Sequence, residues 1–128
     1  MTSDNNKLFM GLAIELAQTA FENNEVPVGA VVVQNRNSEI LAAFSNQMRT
    51  TGSSLAHAEM LALQKSMEIL KNERLVGCDM YVSLEPCSHH GLTPPCTSAI
   101  IKSKISKVIY SVFDIDKRVK GKTFKILK

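Results

Sequence analysis

Leu8, Leu12 and Leu16 recur at four-residue spacing, with Phe9, Ala13, Ala17 and Phe21 beside them. That period predicts an amphipathic helix over residues 7–23, stopped by Asn23-Asn24. After Pro27 the pattern changes. Val28-Gly29-Ala30-Val31-Val32-Val33 has no polar alternation, which predicts a strand covered on both faces. Asn35 to Ser38 reads as a turn, and Ile40 to Phe44 as a second strand paired to the first. Residues 46–55 are polar, contain Gly52 and read as a loop. A second helix is predicted from Ala56 to Asn72, with Met60, Leu61, Leu63, Met67 and Leu70 on its apolar side. A third strand is expected over Asp79 to Leu84, a short helix over Thr97 to Lys102 and a fourth strand over Ile105 to Val112. Strands alternating with helices predict a layered α/β domain with parallel pairing in its second half.

The chain has 128 residues, 45% of them hydrophobic and 21% charged. That suits one domain, residues 1–128, with an ordinary core. No apolar run reaches membrane-spanning length, and the start carries no basic patch leading into an apolar stretch. With three cysteines, two of them in metal-like spacing, a reducing, cytoplasmic setting is expected. The net charge is +3, and nine of the fifteen Lys and Arg fall at or after Lys102. A basic tail suits nucleic acid or a phosphorylated substrate, and equally a solvated face.

The chemistry lies in His57-Ala58-Glu59, Pro86-Cys87 and Cys96. One imidazole and two thiolates are N/S ligands for Zn²⁺, whose catalytic sites keep three protein ligands and leave one position for water. Bound zinc brings the pKa of that water to about 7. Glu59, two residues from His57, has the chemistry to carry the proton. The two side chains lie far round a helix from one another, so one can bind metal while the other meets what the metal activates. The helix start favours the ionised carboxylate. The pattern follows the His-x-Glu…Pro-Cys-x-x-Cys signature of zinc-dependent base deaminases, except that His90 stands where its second cysteine belongs. Two alternatives stay open: His90 in place of Cys96 as ligand, or a structural zinc completed by His89, His90 or Cys78. A structural zinc would leave Glu59 without a purpose. Outside the motif, Cys78 reads as core.

On these residues the chain resembles the cytidine deaminase-like superfamily along nearly its whole length. The resemblance implies a three-layer α/β/α domain with a mixed central sheet and a homo-oligomer. Two branches are mixed. Glu25-Val-Pro-Val-Gly-Ala30, Asn46 and Ala56-His57-Ala58-Glu59 resemble the tRNA adenosine deaminases, where the asparagine contacts the nucleoside. Leu84-Glu-Pro-Cys-Ser-His-His-Gly-Leu-Thr-Pro-Pro-Cys96 resembles the deaminases of riboflavin biosynthesis, which act on a phosphoribosylated diaminopyrimidine. Asp114 to Lys122 is similar to a stretch of the same branch. That branch has Lys or Arg where Leu92 stands and Asn-Pro at Asp116-Lys117, and it often carries a fused reductase. Here any reductase acting downstream would be a separate protein. The resemblance implies His57, Cys87 and Cys96 as zinc ligands and Glu59 as the proton carrier. It places His89 and the Gly29-Ala30 backbone against the substrate. The loop carries the substrate expectation: a small pyrimidine nucleotide first, tRNA as the alternative, no membrane partner. Lys117, Arg118, Lys120 or Lys122 could replace the charge missing at Leu92.

Overall fold

The computed structural model describes residues 3–84, 96–111 and 124–127. Helix α1 (Ser3–Glu22) leads into strands β1 (Gly29–Gln34) and β2 (Glu39–Ser45). A short helix α2 (Met48–Thr51), then α3 (Ala58–Leu70), β3 (Cys78–Val82), α4 (Cys96–Lys102), β4 (Lys107–Ser111) and β5 (Phe124–Leu127) follow.

The strands form one mixed sheet in the order β2-β1-β3-β4-β5. β1 runs antiparallel to β2 and to β3, β3 runs parallel to β4, and β4 runs antiparallel to β5. The parallel pair is the one expected from the alternation of strand and helix, with α4 in the crossover. Val31, Val33, Tyr81 and Ile109 face α1 in one core with Phe9, Met10 and Ala13. Ala30, Val32, Met80, Val82, Val108 and Tyr110 face the other way, in a core with Ala58, Ala62 and Leu63 of α3 and Ile100 of α4. Successive strand residues point to opposite faces, so an unbroken apolar run is what a strand between two helical layers requires. The three-layer α/β/α architecture is therefore as expected, and Cys78 sits in the core.

The helices depart in part from their expected apolar faces, although Leu12 and Leu16 pack against the core. Leu8 is 65% exposed and Phe21 53%, while Phe9, Met10, Ala13, Ala17 and Ala20 are buried. The reason is Gly29. A Cβ there would lie 2.1 Å from the Ala13 carbonyl oxygen, 2.6 Å from Leu16 Cβ and 2.9 Å from the Ala17 nitrogen. At Gly29 α1 approaches the sheet so closely that the small residues Ala13 and Ala17 are the ones buried there. α3 buries Ala58, Ala62, Leu63 and Ser66, and leaves Met60, Leu61, Met67 and Leu70 only partly buried. Two further elements depart from expectation: α2 lies within the predicted loop, and β5 lies within the basic tail. Among the described residues, no helix is long and apolar enough to cross a membrane.

Candidate active site

Two helix starts supply the reactive groups. His57 is the residue before α3, in extended backbone (φ −74°, ψ 144°), with no side-chain capping bond of its own. Glu59 follows inside the first turn and is buried. Cys96 is the first residue of α4 and is buried. The His57 Nδ1 and Cys96 Sγ atoms stand 3.5 Å apart, and the Cys96 side chain hydrogen-bonds to the Glu59 carboxylate. Imidazole, thiol and carboxylate thus converge. The expected separation of His57 and Glu59 round the helix does not apply, because the extended backbone of His57 lies outside the helical turn.

Burial pushes the Glu59 carboxyl up from its ordinary value. Its own backbone amide, the His57 ring and the Cys96 thiol pull the other way and do not cancel it. Within the polypeptide alone, burial therefore outweighs the helix-start field that was expected to keep this group ionised.

Asn46 is buried, and its Oδ1 accepts the Ala58 N–H at 2.8 Å. It caps α3 from twelve residues upstream, where His57 makes no such bond. Satisfying a helix-start donor in this way is worth about 1 kcal/mol. The Gly29 N–H donates to the Ser83 hydroxyl (2.9 Å), and the Gly29 carbonyl accepts the Ser83 N–H (3.0 Å). These bonds, with the close approach of α1, give Gly29 a packing role. Ala30 is buried in the sheet, paired with Phe44 and Val82.

Cys87, His89, His90 and Leu92 lie outside the described residues, as do Lys117, Arg118, Lys120 and Lys122. Among the described residues, no three His, Cys, Asp or Glu side chains group closely enough to hold a metal.

The sequence reading quoted Glu25 within a motif but gave it no role. It is buried, and it accepts the N–H of Arg49 (3.0 Å), the N–H of Thr50 (2.6 Å) and the Thr50 hydroxyl (2.7 Å). Burial alone would raise this carboxyl. The amides of Arg49 and Thr50, the Thr50 hydroxyl and the Arg49 charge outweigh burial and lower it. Local sequence offers no signal for it, since its donors lie 24 and 25 residues away.

Two helix starts of a layered α/β domain thus bring an imidazole and a thiol together beside a buried carboxylate. Residues 3–112 match the family model of the cytidine and deoxycytidylate deaminase zinc-binding region, and the chain belongs to that family. A tRNA-specific adenosine deaminase of Bacillus subtilis is 42% identical over 114 residues, 89% of this chain and 65% of that relative. A riboflavin biosynthesis protein RibD of Bacillus amyloliquefaciens is 39% identical over 123 residues, 94% of this chain and 30% of that protein. A solved structure from a study of A-to-I editing by tRNA:A34 deaminases superposes with a TM-score of 0.70 at 38% identity. That superposition covers 80% of this chain and 72% of the other. The chain thus spans just under two thirds of the Bacillus subtilis relative's length.

The family's cofactor is Zn²⁺. The described donors fit it. Tetrahedral bonds of about 2.3 Å to sulfur and about 2.05 Å to nitrogen set the two ligand atoms roughly 3.6 Å apart, close to the observed 3.5 Å.

Proposed function

We propose that this chain is a zinc-dependent hydrolytic deaminase, with His57, Cys87 and Cys96 as metal ligands and Glu59 as proton carrier. The convergence of His57, Cys96 and Glu59 carries this reading. Zinc, when bound, supplies an acidified water. Beside zinc held by His57, Cys87 and Cys96, Glu59 would accept a proton from the attacking water and pass it to a ring nitrogen as the oxygen bonds to the amino-bearing carbon. It would then carry the new hydroxyl's proton to the amino group as the carbon–nitrogen bond breaks. Ring amine and water become ring carbonyl and ammonia. Such proton work contributes typically about 10²–10⁴-fold.

The ligand set has a direct check. Cys96→Ser is expected to strip zinc on dialysis, and His90→Ala to leave one zinc per chain. Metal analysis giving the reverse would move the third ligand to His90.

For substrate, we place a tRNA adenosine first. Support comes from the front half of the sequence, where Glu25–Ala30, Asn46 and Ala56–Glu59 resemble the tRNA adenosine deaminase branch. It comes also from the 42% identity to the Bacillus subtilis tRNA-specific adenosine deaminase. This reverses the order drawn from the loop alone. The phosphoribosylated diaminopyrimidine remains the second reading, supported by Leu84–Cys96 and the RibD relative. Incubation with an anticodon stem-loop carrying a wobble adenosine, and separately with the ribotide, decides between them. Inosine is the expected product. Ammonia from the ribotide with no inosine would overturn the assignment.

A further inference from the structure

Glu25 is a buried charge that the proposed chemistry does not use. A carboxylate out of water is costly unless hydrogen bonds compensate it. Here three donors do so, and all come from α2. α2 contributes nothing to the core: its four residues include none that is buried. It has no side-chain cap of its own, and the carboxylate takes two of the N–H groups that its first turn leaves free. The Arg49 guanidinium also reaches the Asn24 carbonyl, beside Glu25.

What α2 adjoins is the site. Gln47, immediately before it, donates its N–H to the Ala56 carbonyl at 2.9 Å. Asn46, one residue earlier, donates its N–H to the Val28 carbonyl at 3.0 Å and accepts the Ala58 N–H on its side chain. Glu25, α2, Asn46-Gln47 and Ala56–Ala58 form one bonded path to the backbone that bears His57 and Glu59. We propose that Glu25 is a positioning residue of the active centre: by anchoring α2 it fixes Asn46 and hence the start of α3. This rests on the deaminase reading for its effect on rate, but not for its effect on structure.

The test uses the full zinc-loaded chain with Glu25→Gln, Thr50→Val and Thr50→Ser, and the wobble-adenosine stem-loop as substrate. Glutamine keeps the size but places an amide NH₂ among donors. Expected for Glu25→Gln is one zinc per chain and a melting transition lowered by a few degrees, because hydrogen bonds to the carboxylate are weakened. KM should change little, while kcat falls about tenfold or more, because a small misplacement of a proton carrier is costly. Thr50→Val should fall in the same direction and Thr50→Ser, which keeps the hydroxyl, should recover. By hydrogen exchange, the Ala58 amide should lose protection in Glu25→Gln while Val31 and Val32 keep theirs. Unchanged Ala58 protection would overturn the proposal. So would a drop in kcat that merely follows lost stability, with Thr50→Ser no better than Thr50→Val. If Glu25→Gln does not fold, the Thr50 pair and the same exchange measurement decide. If the wild type turns over neither this substrate nor the ribotide, the functional reading fails, and Ala58 exchange alone decides the role of Glu25.

Discussion

Glu59→Gln is expected to hold its zinc and lose about 10²–10⁴-fold in turnover. The side chain is buried beside His57 and Cys96, and glutamine fills the same space. It therefore tests the proton and not the packing. An amide cannot take the proton from water or return it to a ring nitrogen and a leaving amine. Ammonia release and metal content on the same preparation give the answer. Zinc lost along with activity would make Glu59 part of the metal's support. Activity retained would place the proton carrier elsewhere.

Gly29→Ala is expected to destabilise the fold by about 3 kcal/mol, at the upper end of overpacking costs. The added carbon meets the Ala13 carbonyl oxygen and the Ala17 nitrogen, both backbone, as well as Leu16 Cβ, so no rotamer change relieves it. α1 must lift off the sheet or β1 must bend. Gly11→Ala is the control. It sits within α1 with nothing inside 4 Å, and removing a helical glycine should stabilise by about 0.5–1 kcal/mol. Urea midpoints measure both. A Gly29→Ala midpoint equal to the parent would show that α1 has room to move.

Gly29 also explains what the sequence did and did not disclose. The run Val28–Val33 announced a doubly covered strand, because burial on both faces leaves no polar alternation to hide it. Its helical cover was legible in extent, and in rotation at Phe9, Ala13 and Ala17 but not at Leu8 and Phe21. Counting large apolar residues favours Leu8, Leu12 and Leu16, whereas close approach to a glycine selects Ala13 and Ala17. The same bias picked Met60 and Leu61 over Ala58 and Ala62 on α3. α2 escaped notice because four residues carry no period, and because its support comes from Glu25, far off in sequence. For the site, residue chemistry named His57, Glu59 and Cys96 as a set. The extended backbone of His57, which brings its ring to Cys96, has no signature in residue type.

The meeting of His57 with Cys96 also has a kinetic meaning. The two residues are 39 apart in sequence. Closing a flexible loop of that length costs about 3 kcal/mol in its length-dependent part alone. A single thiol–imidazole contact does not offset that. The parallel pairing of β3 with β4 holds α4 in place, so the sheet contributes to closing that loop. Such non-local pairing is slow compared with helix formation. The centre thus depends on the sheet for its closure, and a chain lacking that strand pairing offers a metal separate ligands instead of a pocket.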